Sequence, residues 1–468
     1  MPMITLVTPL DRHHPRYRDP MPTAQRVKVR WEAPAWAGPA GRSTVRDLAG
    51  WLAIVVAGLV VSAIAVAAHA RLGTASAPFS GRYRFKVDAG SLLAPLVAAA
   101  MLAGVRRGVH ERLPWRRLLL AGYLAAVAWA LALALVDGGN GLATPVDAPE
   151  GYLPDVARIG SDPLGFLRDF VSTAGSHTPS TRQHPPGPVL LLWGLTRLGA
   201  HSPALLGLLV TLIGCLAVPL VAVAVLSLCG ERASRRLLPV LALAPYAVWL
   251  AVSLDAVTLT LGAGAVACGV RASEPRRSPA WAVAAGLLLG ASALFSYSVG
   301  WLAASVIVVN FVRRRPLLNM ITGASALLPL ALAQLAGFTW SDGLTAAQAD
   351  FSLRVEPHRS WLVWALLDLF LLAIACGPAV AASARKIRRT PGWPFTVGAG
   401  LAVVFAVGSG LSRGEVERSF LPFFPWLLVA AVAPEPGEDA GATPTPLLLI
   451  AVGAFTAIVI EAVLRTAW

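Results

Sequence analysis

One polar stretch in this chain, residues 137–187, holds most of the side chains able to do chemistry. It carries Asp137, Asp147, Glu150, Asp155, Asp162 and Asp169, with Arg158, Arg168, Arg182, His177 and His184 among them. Asp137 ends an apolar run and is followed by Gly138 and Gly139, while Glu150 and Asp155 flank Tyr152. A carboxylate partly desolvated at a membrane boundary has its pKa raised towards a value useful to a general base. The bland alternative is a polar residue marking the water boundary, since ionisable groups at the ends of apolar runs are ordinary. His184-Pro185-Pro186-Gly187 closes the stretch. Two prolines fix φ and push the residues before them into extended geometry. The element is either a stiff turn into the following helix or a rigid mount that presents His184, beside Arg182, to an anionic headgroup.

Two further sets stand outside this stretch. Asp255, in AVSLDAVTLT, falls at a turn between two short apolar segments, where it is a solvated tip or faces the same cavity as the polar loop. Residues 412–418, SRGEVER, precede the aromatic run SFLPFFPWLL. Glu415 and Arg418 are three apart and share a helical face, which is enough for an internal ion pair. Arg418 can instead grip a phosphate through the planar fork of its guanidinium. Four charges packed at a membrane boundary carry a desolvation cost that a bare connector need not incur. No Gly-rich phosphate loop, metal-ligand set or Ser/His/Asp order is present. An ATPase or a zinc hydrolase is therefore not expected, and no cofactor is expected; dependence on a divalent cation stays open.

The elements that position these residues are apolar helices. The chain of 468 residues is 56% hydrophobic and 14% charged, with mean hydropathy +0.65. Soluble proteins average about 25% charged residues, and apolar runs of 18 or more residues mark bilayer spans. The expected fold is an all-α, polytopic transmembrane bundle of about 13 spans, with short interfacial helices in the large loop 137–187. The net charge of +14 is dispersed in short clusters between apolar runs. Such clusters are topology signals, so no nucleic-acid partner is expected. Most of the 39 Lys and Arg fall on one side of the segmentation. This places the amino terminus inside, loop 137–187 outside, and the protein in the cytoplasmic membrane. Residues 1–48 form a basic, Pro- and Arg-rich cytoplasmic tail with no apolar periodicity, expected to be disordered. Residues 49–433 form the transmembrane core, and 434–468 an acidic linker, PEPGEDAGATP, plus a final span. Cys215, Cys229, Cys268 and Cys376 lie in or at the ends of apolar runs and read as buried small hydrophobes.

With the acidic loop, the HPPG turn and the segment GEVERSFLPFFPW in hand, residues 118–432 resemble the glycosyltransferase C superfamily. These are integral membrane transferases that use polyprenyl-phosphate sugars, and they include many actinobacterial membrane proteins. The resemblance implies a hexosyltransferase-like enzyme whose partners are a polyprenyl-phosphate sugar, membrane lipids, and an envelope glycan or lipid acceptor. In that family a carboxylate just after the span preceding the large loop acts as base, and the matching position is Asp137. The family pattern has paired acids there whereas Asp137 stands alone, so Glu150 remains a second candidate and Asp155 completes the set. Arg418, next to Glu415, with Arg182 or His184, would hold the leaving phosphate, and Asp255 would bind sugar or acceptor. Two other readings stay open. A transporter or lipid flippase predicts ionisable residues in mid-span, and Asp368 and Glu461 are placed so. The third is a non-catalytic protein of envelope assembly.

Overall fold

Where no water is available, a long apolar segment must satisfy its backbone hydrogen bonds internally, and in this chain it does so as α-helix. The computed structural model describes residues 40–74, 76–86, 90–435 and 444–466. Among these residues, five helical segments are long and apolar enough to cross a membrane: Ser43–Ala67, Trp115–Asn140, Pro203–Cys229, Leu254–Ala272 and Leu317–Leu335. A sixth is broken, with Trp361–Cys376 and Ala379–Arg389 meeting at 102°. The break falls at Gly377, whose φ of +68° no helix accommodates, and at Pro378 after it. Five shorter apolar helical segments accompany them, at Gly90–Arg106, Ala280–Ala293, Val299–Val312, Trp393–Ser409 and Leu447–Val463. The protein is an all-α, polytopic membrane protein. Gly81–Tyr83 and Leu464–Thr466 pair as a short antiparallel ribbon with Arg82 opposite Arg465.

At three further places the helices differ from what apolar length alone predicts. Residues 237–253 are not one span: Glu231–Ala242 ends before Pro245, and a single turn, Ala247–Leu250, follows. Residues 419–432 are likewise a series of turns, broken around Pro422 and Pro425. Leu237, Leu241, Tyr246 and Trp249 in the first stretch, and Leu421, Phe424 and Trp426 in the second, are fully buried. These stretches are apolar because protein surrounds them, and hydropathy alone cannot separate that case from contact with lipid. Third, Trp340–Arg354 is helical without any apolar period in its sequence. The tail expected at 1–48 is helical from Ala40; its residues 1–39, and residues 436–443 of the expected linker, lie outside the described residues.

Burial separates the outer from the inner helices. Ala40–Ala67 exposes Leu52, Ile54, Leu59 and Ile64, and Leu317–Leu335 exposes Met320, Leu327, Leu332 and Leu335. Apolar surfaces of this extent belong against lipid. Leu254–Ala272, by contrast, is buried along almost its whole length. Leu317–Leu335 meets Ala280–Ala293 across a glycine seam. A Cβ at Gly286 would lie 2.2 Å from the Thr322 carbonyl oxygen, and one at Gly290 would lie 2.2 Å from that of Ala326. Small residues four apart let two backbones touch, the usual way helices associate in lipid.

At one end of the bundle, arginines tie helix ends together. Arg235 donates to the carbonyls of His110 and Leu113, and Arg313 to that of Val270. Arg385 bridges Asp47 and Glu435 at 2.7 and 2.6 Å. The loop 137–187, Asp255 and residues 412–418 gather at the opposite end.

Candidate active site

The loop 137–187 is folded, and its ordering begins with its own polar side chains. Asp162 caps the helix Pro163–Asp169 by accepting from the Gly165 amide at 2.8 Å. Asp155, fully buried on Leu153–Ile159, accepts from the Thr178 amide at 2.9 Å, the Thr178 hydroxyl at 2.8 Å and the Arg158 guanidinium at 2.8 Å. His177 Nδ1 stands 3.5 Å from the same carboxylate. Burial alone would raise the Asp155 carboxyl, but hydrogen bonds from His177, Thr178 and Thr181 outweigh it and hold the group well below the usual carboxylate range. The His177 ring stacks on Phe170 at 5.1 Å, and Phe170 meets Phe338 edge-on at 5.3 Å. Arg182 donates to the His177 carbonyl at 2.6 Å and pairs with Asp350 at 2.9 Å. Asp350 also takes Arg354 at 2.8 Å, so Arg182 fastens the loop to the Trp340–Arg354 helix.

The HPPG element turns the chain into the helix Gly187–Arg197. Its glycine is required by proximity: the Gly187 amide donates to the Leu294 carbonyl at 2.8 Å, and a Cβ there would stand 2.3 Å from that oxygen. His184 Nδ1 lies 2.8 Å from the Ser180 carbonyl oxygen. A carbonyl only accepts, so Nδ1 carries a proton and Nε2 points to Asp255 Oδ1 at 3.8 Å. Tyr152 meets the imidazole edge-on at 5.9 Å.

Asp255 sits in the first turn of Leu254–Ala272, capped by Ser253, whose hydroxyl accepts from the Asp255 amide and lies 3.1 Å from Asp255 Oδ2. The same Oδ2 is 3.5 Å from Arg418 Nε. Arg418 Nη2 reaches Glu415 Oε2 at 3.4 Å, and Arg359 Nη2 reaches Glu415 Oε1 at 3.4 Å. The segment bearing these residues is held from behind by Asp368, which accepts from the Ser412 hydroxyl at 2.9 Å and the Gly414 amide at 3.0 Å. Glu417 adds a second tie by accepting from the Ser80 amide at 3.1 Å.

Between these elements lies a cavity of about 220 Å³, with Glu150, Tyr152, Ser180, Ser253, Glu415 and Arg418 in its lining. Of the residues singled out in the sequence, Glu150, Glu415 and Arg418 line this cavity, and Asp255 and His184 stand directly behind its wall. Asp137, Asp155 and Arg182 are elsewhere. Asp137 pairs with Lys86 at 2.9 Å, and Lys86 also bonds Glu461 at 2.9 Å. Asp155 and Arg182 hold the loop together. Sequence reasoning missed Ser253, Arg359 and the fastening role of Asp368. Only Asp368 carried a signal, as an acid in mid-span.

A cavity with a solvent-reachable carboxylate, Glu150, and a buried guanidinium, Arg418, offers a proton acceptor and an anion holder to one bound molecule. Fold and site together define a polytopic helical membrane protein with a charge-lined cavity at one end of its bundle. No family model and no curated protein matches the chain. Among solved structures it is similar to ArnT from Cupriavidus metallidurans in the apo state, with 18% identity and a TM-score of 0.39 over 57% of this chain and 53% of that one. It is also similar to ArnT from the same organism bound to undecaprenyl phosphate, with 14% identity and a TM-score of 0.42 over 66% and 75% of the two chains. The chain thus spans about half the length of the apo chain it matches.

Proposed function

We propose that the protein transfers a sugar from a polyprenyl-phosphate donor to a hydroxyl of an envelope glycan or lipid, on the outer side of the cytoplasmic membrane. The observation that carries this reading is that Glu150 and Arg418 line one cavity, at the end of the bundle away from the helix ends tied by Arg235, Arg313 and Arg385. Transfer needs a base for the acceptor hydroxyl and a cation for the leaving phosphate, with oxocarbenium character between them. Glu150 takes the acceptor proton as the acceptor oxygen bonds to the anomeric carbon. The bond from that carbon to the phosphate oxygen breaks, and the polyprenyl phosphate departs with the electron pair onto Arg418. Asp255 and Glu415 orient the Arg418 guanidinium from two sides. His184, held by Ser180 and Tyr152, faces Asp255 and supports the same charge network.

Glu150 is preferred over Asp137 as the base because the Asp137 carboxylate is engaged by Lys86 and does not line the cavity. The transporter reading rested on charges in mid-span. Asp368 and Glu461 both have partners within the fold, in Ser412 and Gly414 and in Lys86, which supports a fastening role for each. The test is transfer from a polyprenyl-phosphate sugar to membrane acceptors by the purified full-length protein, comparing the parent with Glu150→Gln and Asp137→Asn. Loss in Glu150→Gln alone supports the assignment. Loss in Asp137→Asn alone exchanges the two roles, and full transfer by both variants removes the carboxylate-base mechanism.

A further inference from the structure

A second cavity, of about 570 Å³, opens where the chain leaves the lipid-facing helix Ala40–Ala67. His69, Arg71, Arg354, His358 and Arg359 line it, and among the described residues no Asp or Glu does. Its floor is fixed by main-chain contacts. The Ser360 amide donates to the Arg71 carbonyl at 2.8 Å, and Arg71 reaches the Pro357 carbonyl. Gly73, at φ +65°, lets the two segments close, because a Cβ there would come 2.8 Å from Arg359 Cγ. Arg359 is further held over the Trp364 ring at 5.4 Å and donates to the Arg413 carbonyl at 2.7 Å.

The acids nearest this cavity do not neutralise it. Asp350 is divided between Arg354 and Arg182, and Glu415 between Arg359 and Arg418; Glu356, between Val355 and Pro357 of the wall, is taken by Arg413 at 2.8 Å. These carboxylates are all committed to guanidiniums, two of them shared with arginines outside the lining, and the cavity keeps an excess of positive charge. Apolar side chains flank it: Ile64 and Val66 on the helix before it and Leu353 on the helix after it are all exposed. A cationic concavity bordered by lipid-facing aliphatic surface has the chemistry of a headgroup seat, in which arginines hold phosphate oxygens and acyl chains lie along the helix.

We infer that the cavity lined by His69, Arg71, Arg354, His358 and Arg359 binds an anionic phosphate group, separately from the Glu150 and Arg418 cavity. The inference stands on this cavity alone and does not require the transferase reading. The phosphate arrives either on a lipid or as a free anion, and the experiment separates the two. The full-length protein in a non-ionic detergent is titrated calorimetrically with dihexanoyl phosphatidic acid, dihexanoyl phosphatidylcholine or inorganic phosphate. The titrations are repeated with the double variant Arg71→Gln and His358→Gln, and with Arg354→Gln, thermal unfolding serving as the check on folding. Saturable binding of phosphatidic acid, weakened about tenfold or more in the variants and by raised salt, is the expected result. Phosphatidic acid binding without phosphate binding identifies a lipid source, and competition by phosphate identifies a site for the free anion as well. The inference is overturned if neither anion binds saturably, if both variants bind as the parent does, or if phosphatidylcholine binds as tightly as phosphatidic acid.

Discussion

At the scale of single residues, the sharpest question is what Arg418 does with its fork. Its guanidinium already touches Asp255 and Glu415, so an ion pair alone explains its position but not its place in a cavity wall. Arg418→Lys keeps the charge and removes the planar geometry, and it is expected to lower sugar transfer by about tenfold or more while leaving the unfolding temperature nearly unchanged. Transfer at the parental rate would return Arg418 to the role of structural partner. For Glu150→Gln the expected loss is at least about 10²-fold, the lower range for a general base, with little change in stability because Glu150 is exposed. His184, Asp255 and Arg418 stood out in the sequence as ionisable groups at the edge of apolar sequence, where such groups need a reason, and Glu150 as an acid beside Tyr152 within the polar loop. The surroundings of Asp137 were not legible. Its partner Lys86 lies in a distant segment of no marked pattern, and a pairing across that distance leaves no trace in spacing.

At the scale of elements, the loop 137–187 depends on one buried carboxylate. Asp155 accepts from several donors, and removing it leaves those donors unpaired, a loss on the order of 2–3 kcal/mol. Asp155→Asn is expected to make the loop the first site of limited proteolysis. Because the folded-state pKa lies below the unfolded value of about 3.9, the contribution is fully present above that value and is lost as pH falls towards the folded pKa. The excess proteolysis of the variant over the parent should therefore be constant between about pH 5 and 8 and shrink below about pH 4. A difference unaffected by acid would mean that the side chain acts by shape rather than charge. Asp368 has the corresponding duty under residues 412–418. Asp368→Ala frees the Ser412 hydroxyl and the Gly414 amide and is expected to reduce transfer while the loop 137–187 of the intact protein keeps its protease resistance. Sequence gave notice of both segments through their charge. It gave none of the helix Trp340–Arg354, whose residues follow no apolar period and whose place is set by contacts such as Trp340 Nε1 to the Ala293 carbonyl at 2.8 Å.

At the scale of the whole molecule, apolar length announced the helical bundle, while the split between lipid-facing and enclosed segments could not be read from hydropathy, as 237–253 and 419–432 illustrate. We propose that the end tied by Arg235, Arg313 and Arg385 is cytoplasmic, where Lys and Arg are retained, and that the cavity with Glu150 and Arg418 opens on the outer side. A cysteine replacing Asn140 is expected to react with a membrane-impermeant thiol reagent in intact cells; labelling only after lysis would reverse the topology and exclude an outer active site. The glycine seam between Ala280–Ala293 and Leu317–Leu335 extends the same reasoning. The Leu317–Leu335 helix has most of its surface in lipid, and its chain continues directly into Trp340–Arg354, the helix whose Asp350 holds Arg182 of the loop. A bulky residue at Gly286 would pry the two backbones apart far from any substrate, yet the loosening would be transmitted through one covalent connection to the rim of the cavity. Lipid packing around that peripheral helix thus bears on the anchor of the loop at Asp350, and a change of detergent or bilayer thickness is expected to alter the measured transfer.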